Sequence, residues 1–207
     1  MKKFLLIVLA LLMIVAVGCG KTTKQDSTGE NQTQQGKDNQ TQQGQDNQAS
    51  NNQAQSDQPP DTTGKKIVTI ETAKGNIVME IYPKEAPITV TNFETLVNKG
   101  FYNGLIFHRV EAWVTQGGDP TGTGSGGSDK TIKGEFTAKL HHDRGVVGMA
   151  RSSDPDSASS QFYIVKSPAR SIDGQYALFG KVTQGMEVVD KIQVGDKMTK
   201  VTIADAK

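Results

Sequence analysis

Cysteine is all but missing from this chain: Cys19 is the single one among 207 residues. No disulfide can form within it, and the cysteine clusters that hold structural zinc are excluded. An excess of one charge is missing too. Lys and Arg number 23 against 22 Asp and Glu, a formal net charge of +1, so a nucleic-acid partner, which normally leaves a basic footprint, is not expected. Long apolar runs are absent but for one. Phe4 to Val17 is uninterrupted, and it falls short of the roughly 20 apolar residues of a spanning helix.

Lys2 and Lys3 precede that run, and Gly18, Cys19 and Gly20 close it. A basic start, a short apolar core and small residues at its end form the pattern of a secretory signal. Ala16-Val17-Gly18-Cys19 resembles the lipobox of bacterial lipoproteins. The resemblance implies removal of residues 1–18 as a signal peptide and lipidation of Cys19. Two or more acyl chains on one residue anchor stably where one does not, so the mature protein is expected on the extracytoplasmic face of the cell membrane. Residues 19–64 are rich in Gln and Asn, and the octad starting at Asn31 is repeated from Asn39 with a single change. Nothing apolar is there to offset the entropy of ordering the backbone, and a repeat that buries no face is not a solenoid. A disordered tether is expected, stiffened at its exit by Pro59-Pro60.

Residues 65–207 read as one folded domain, long enough for its own core. Lys65–Thr72 and Asn76–Tyr82 are β-rich and joined by a hairpin turn. A helix follows, with Val90, Phe93, Leu96 and Val97 on one face and Gly100 past its end. Further strands are expected at 105–110, 113–116, 145–150, 161–165, 177–182 and 200–203, with a second short helix over 185–192. Many short strands, glycine-rich turns and two helices predict a mainly-β fold, a closed eight-stranded antiparallel barrel capped by the helices. The long glycine-rich loop between Gln116 and Phe136 is of a kind that more often serves function than mere connection.

Some chemistries fail on inspection. Gly122-Thr123-Gly124-Ser125-Gly126-Gly127 lacks the Gly-Lys-Ser/Thr ending of a phosphate-binding loop, and no Gly-x-Ser-x-Gly elbow is present. His141 and His142 are adjacent, cannot share a helix face as metal ligands, and read as solvated loop residues. Three other segments stand out. Phe107-His108-Arg109-Val110 leads through Trp113 into Gln116-Gly117-Gly118-Asp119-Pro120-Thr121-Gly122-Thr123-Gly124. Gly148-Met149-Ala150-Arg151 runs on to Ser159-Ser160-Gln161-Phe162-Tyr163-Ile164. Ile172-Asp173-Gly174 precedes Ala177-Leu178-Phe179-Gly180-Lys181-Val182. In this order and spacing they resemble the signature of the cyclophilin-type peptidyl-prolyl cis/trans isomerases, over Lys66 to Lys207.

The resemblance implies an isomerase acting on proline-containing polypeptides, without cofactor or metal, as a monomer that assists folding of secreted or envelope proteins. It implies that Arg109 is the donor to the rotating amide and that Gln116 braces it. Trp113, Val114, Tyr163 and Ile172 match the walls of a proline slot, with Tyr176 where the family carries His. Gly124, Ala150, Arg151 and Gln161 match positions that carry substrate backbone beyond the proline. His108 reads as structural, alternating away from Arg109 along a strand. Some residues depart from the family pattern. Between Arg109 and Gln116 the chain is one residue shorter than the usual family form, with Glu111-Ala112-Trp113 in place of a Pro-Gly-Phe turn; Arg151 replaces Asn, and Ser171 replaces the Trp of cyclosporin-sensitive members, which implies weak cyclosporin binding. A non-catalytic module that docks proline segments or acts as a holdase on the same fold is the alternative. Arg109 and Gln116, both present, favour the enzyme.

Overall fold

The computed structural model describes residue 61 and residues 63–136 and 139–207. The leader expected over 1–18, the anchor residue Cys19 and nearly all of the tether expected over 19–64 lie outside these residues.

β1 (Lys66–Thr72) and β2 (Gly75–Ile81) pair antiparallel from Thr72↔Gly75 to Lys66↔Ile81, with Ala73 and Lys74 in the turn. Val68, Ile70, Ile77, Met79 and Ile81 are fully buried between less buried neighbours, the period-two pattern of a half-covered sheet. α1 (Pro87–Asn98) starts at a proline, whose missing N–H is no loss in a first turn. It has no side-chain cap of its own. Glu135, from the long loop, accepts the N–H groups of Ile88 (2.9 Å) and Thr89 (2.8 Å) instead, a remote carboxylate at the positive end of the helix. Phe93 carries the buried face into an aromatic cluster with Tyr102, Phe162 and Phe179.

β3 (Phe107–Val110), β4 (Val114–Gly117), β5 (Val146–Met149), β6 (Phe162–Val165), β7 (Leu178–Gln184) and β8 (Lys200–Asp205) complete one antiparallel sheet, in the order β3-β4-β6-β5-β7-β2-β1-β8. α2 (Met186–Val189) is shorter than the expected helix, although Ile192 beyond it is still buried. A single 3₁₀ turn, Arg170–Ile172, was not expected. Full closure into a barrel would need β3 laddered to β8. Between them stands one bridge, Ile106–Lys197, with backbone bonds such as Gly104 N to the Met198 carbonyl (2.7 Å) and Phe107 N to the Asp196 carbonyl (2.9 Å). The described fold is therefore a curled eight-stranded half-barrel, laced along its seam by the segments that lead into its two end strands.

The sheet is apolar on both faces in its middle. β6 is buried at all four residues. Phe162 and Ile164 join the main core under α1, while Tyr163 and Val165 join a second cluster with Tyr82, Val114, Leu140, Val146 and Leu178. A strand covered on both sides reads as an unbroken apolar run, as the sequences of β5 and β6 do. The second cluster is the floor of the site.

Candidate active site

Arg109, Gln116, Tyr163 and Gly148 are successive cross-strand partners over β3, β4, β6 and β5. Residues directly opposite each other share a face, so one rung of the sheet brings together residues as far apart in the chain as Arg109 and Tyr163. A bulge between Phe107 and Arg109 adjusts the strand just before it. Strict alternation would have sent His108 away from the site. Instead its ring lies against Gly124, 3.5 Å from where a Cβ would stand, because a bulge places two residues opposite one and breaks the alternation. Burial holds the His108 pKa below its ordinary value. Its ring nitrogens are buried and have no hydrogen-bond partner among the described residues. The nearby Gln161 amide has its own N–H groups committed to the carbonyls of Gly124 (2.9 Å) and Gly126 (2.7 Å).

Arg109 is held from three sides. Nε donates to Glu111 Oε1 (2.7 Å), Nη1 donates to Gln116 Oε1 (3.2 Å), and the guanidinium lies 5.4 Å from the Trp113 ring. Glu111 binds Trp113 as well, accepting its indole N–H at 2.9 Å. Those two bonds hold the Glu111 carboxyl below its ordinary pKa. The shortened segment closes as a tight turn, with Glu111 N bonded to the Val114 carbonyl (2.9 Å). Trp113 thus sits in the turn, beside the arginine. Gln116 passes the contact on: its amide N–H donates to Gln161 Oε1 (2.8 Å).

A cavity of about 120 Å³ opens beside Arg109. Its lining comprises Arg109, Trp113, Val114, Gln116, Ala150, Arg151, Tyr163, Ile172 and Tyr176, nine of the residues chosen from the sequence. A larger hollow of about 540 Å³ adjoins it, bounded by Gly124, Ser125, Gly126, Ser159 and Gln161, and shares Gln116, Ala150 and Arg151 with the first. Cys19 alone of the sequence-chosen residues lies outside the described residues. The smaller cavity is walled by rings and aliphatic side chains and rimmed by two guanidinium groups. Such a hollow fits a small apolar ring next to a polar amide.

The histidine pair needs a correction. Far from being solvated, His142 is fully buried, and His141 keeps only part of its side chain exposed. Asp173 binds both rings through their Nδ1 atoms (2.7 Å for His142, 2.8 Å for His141). His142 Nε2 in turn meets the Tyr163 hydroxyl at 2.8 Å. Burial opposes charge on Asp173, yet the bonds from His142 and His141 win and hold its pKa low, while burial pushes the Tyr163 phenol well up. The bond to His142 occupies the Tyr163 hydroxyl, and Tyr163 lines the smaller cavity. No local signal announces it, because the partners of His142 lie 21 and 31 positions away.

Asp119 is the other residue the sequence left without a role. It is buried and organises the loop after β4. Its carboxylate accepts the N–H groups of Thr121 (2.7 Å), Thr123 (3.0 Å), Gly124 (2.6 Å) and Gly126 (3.2 Å). Gly124, at φ +90, takes a conformation that side chains disfavour. The glycine spacing of this loop follows from wrapping one carboxylate.

Comparison with known proteins bears on this geometry. Residues 67–207 match the model of the family described as cyclophilin type peptidyl-prolyl cis-trans isomerase/CLD. Peptidyl-prolyl cis-trans isomerase B of Bacillus subtilis is 46% identical over 129 residues, 61% of this chain and 90% of that protein. A peptidyl-prolyl cis-trans isomerase of Helicobacter pylori is 44% identical over 142 residues, 67% of this chain and 86% of that protein. Among solved structures, a cyclophilin type peptidyl-prolyl cis-trans isomerase of Cryptosporidium parvum superposes with a TM-score of 0.65 at 28% identity, covering 69% of this chain and 99% of that one.

Proposed function

The chain belongs to the cyclophilin-type peptidyl-prolyl cis/trans isomerase family and is such an enzyme, and on that premise we propose that Arg109 is the group that lowers the barrier, at the lip of the slot walled by Trp113, Val114, Tyr163, Ile172 and Tyr176. A peptide bond resists rotation by about 18–20 kcal/mol because the nitrogen lone pair is delocalised into the carbonyl. For X–Pro the two isomers differ by only about 0.5–1 kcal/mol, so the reaction is balanced but slow. At the twisted midpoint the nitrogen regains its lone pair and becomes a better acceptor. A donor fixed in advance toward that nitrogen stabilises the twisted state more than either planar one, which is the condition for catalysis.

The observation that carries this reading is the position of Arg109. Its Nε and one Nη1 bond are spent on Glu111 and Gln116, and the guanidinium has five N–H groups. The rest have no partner among the described residues, and Arg109 itself lines the cavity. Arg109→Ala should lower kcat/KM on a proline tetrapeptide by about 10²–10³-fold, the usual loss on removing one preorganised donor, with an unchanged circular-dichroism melt. Equal rates in the variant and the parent would remove Arg109 from the role.

The substrate backbone is assigned to the band formed by Gly124, Ala150, Arg151 and Gln161, which runs from the slot into the larger hollow. The site of action follows from the N-terminus. The lipobox-like Ala16-Val17-Gly18-Cys19 supports a lipid anchor at Cys19, which would place the enzyme on the extracytoplasmic membrane face, where secreted chains fold.

A further inference from the structure

The chain has four arginines. Three face carboxylates: Arg109 with Glu111 (2.7 Å), Arg144 with Asp190 (2.6 Å) and Arg170 with Asp143 (2.8 Å). Arg151 is the exception, for among the described residues it forms no ion pair. Its guanidinium lies between two rings, 4.9 Å from the centroid of Tyr176 and 5.5 Å from that of Phe136. It donates to three neutral backbone carbonyls, Nε to Gln175 (2.9 Å) and Nη1 to Ser152 (2.8 Å) and Ser153 (3.4 Å). Nη2 has no partner among the described residues. Rings and carbonyls fix the position of this cation without neutralising it.

Its place is what gives that charge a use. Arg151 borders both the proline slot and the larger hollow, so a polypeptide passing from one to the other runs beside it. The acids of the adjoining loop are turned to backbone instead. Asp154 accepts the Asp156 N–H (2.9 Å), and Asp156 accepts the Gly134 N–H (2.8 Å). The other cation at the slot, Arg109, already holds Glu111. A substrate carboxylate near the proline would therefore meet one preorganised guanidinium that has no ion-pair partner among the described residues, and form a charge-assisted hydrogen bond.

We propose that Arg151 is a specificity-determining residue that selects proline-containing chains with Asp or Glu flanking the proline. The inference rests on the isomerase reading of the site. The test is kcat/KM of the full chain on matched peptides carrying Glu, Gln or Lys beside the proline. At low salt Glu should exceed Gln by about two- to fivefold, the range of a partly exposed ion pair, and Lys should rank last. The preference should shrink toward one at about 1 M salt, where the screening length is roughly 3 Å. Arg151→Gln should bring the Glu-to-Gln ratio near one whatever its overall rate, and Arg151→Lys should keep part of the preference. A ratio near one in the active parent, or a preference that survives Arg151→Gln or high salt, overturns the proposal. Should Arg151→Gln fail to fold, the salt series on the parent decides alone. Arg109→Ala reports separately: full activity there defeats the isomerase site itself, whereas loss of activity there with a flat peptide series defeats only the selectivity.

Discussion

Asp119 shows how one side chain can decide the shape of a binding surface. Burial favours its neutral form, but the N–H groups of Thr121, Gly124 and Gly126 and the Thr121 hydroxyl more than compensate, and they draw its pKa from the ordinary 3.8 down to about 2. A carboxyl whose pKa is depressed on folding stabilises the fold above its unfolded value. That contribution should be fully present above about pH 4 and disappear as the pH falls toward about 2, worth about 1–2 kcal/mol after allowance for solvent screening. Acid unfolding of the parent beside Asp119→Asn checks it: the variant should be less stable at pH 7 and lose less on going to pH 2. An equal acid slope in both would show that another group carries the effect. Arg109, Gln116 and the slot residues could be chosen as candidates from their motifs, since each sits in a short run whose order is distinctive, and they line one cavity. Glu111 and His142 could not. Glu111 works through a turn one residue shorter than the pattern, and His142 through partners distant in the chain.

At the scale of elements, the geometry of the candidate site is a matter of strand register. The rung Arg109–Gln116–Tyr163–Gly148 exists because β3, β4, β6 and β5 pair as they do, and a slip of one residue would turn these side chains to the opposite face. Gly148 is the rung's tightest point. A Cβ there would come within 2.5 Å of Tyr163 Cζ and 2.9 Å of Leu178 Cδ2. The Tyr163 side chain, bonded to His142, which Asp173 holds in turn, has little room to yield. Gly148→Ala should therefore destabilise the domain by about 1–3 kcal/mol, the usual penalty of overpacking, and raise KM more than it lowers kcat, because the slot wall moves while Arg109 stays. Denaturant melts and steady-state kinetics on the same sample test both parts, and an unchanged KM would show that the wall is not where substrate binds.

At the scale of the whole molecule, the described unit is self-contained. All its strand pairings fall between Lys66 and Asp205, with β1 held between β2 and the last strand, β8. A chain beginning at Asp61 should keep the kcat/KM and melting temperature of the full chain. Cys19→Ser in the full chain should shift the protein from the membrane fraction to the soluble one without changing activity in lysate; an unchanged partition would refute the anchor. Element identity was available from local sequence, because period-two and helical apolar patterns arise from which side chains face water. The tertiary structure decided the rest: the laced seam in place of full strand pairing, the remote Glu135 cap on α1, the buried Asp173–His142–Tyr163 chain of hydrogen bonds and the setting of Arg151 against rings and backbone carbonyls. Each depends on groups brought together by folding from distant parts of the chain, and local pattern carries no record of such meetings.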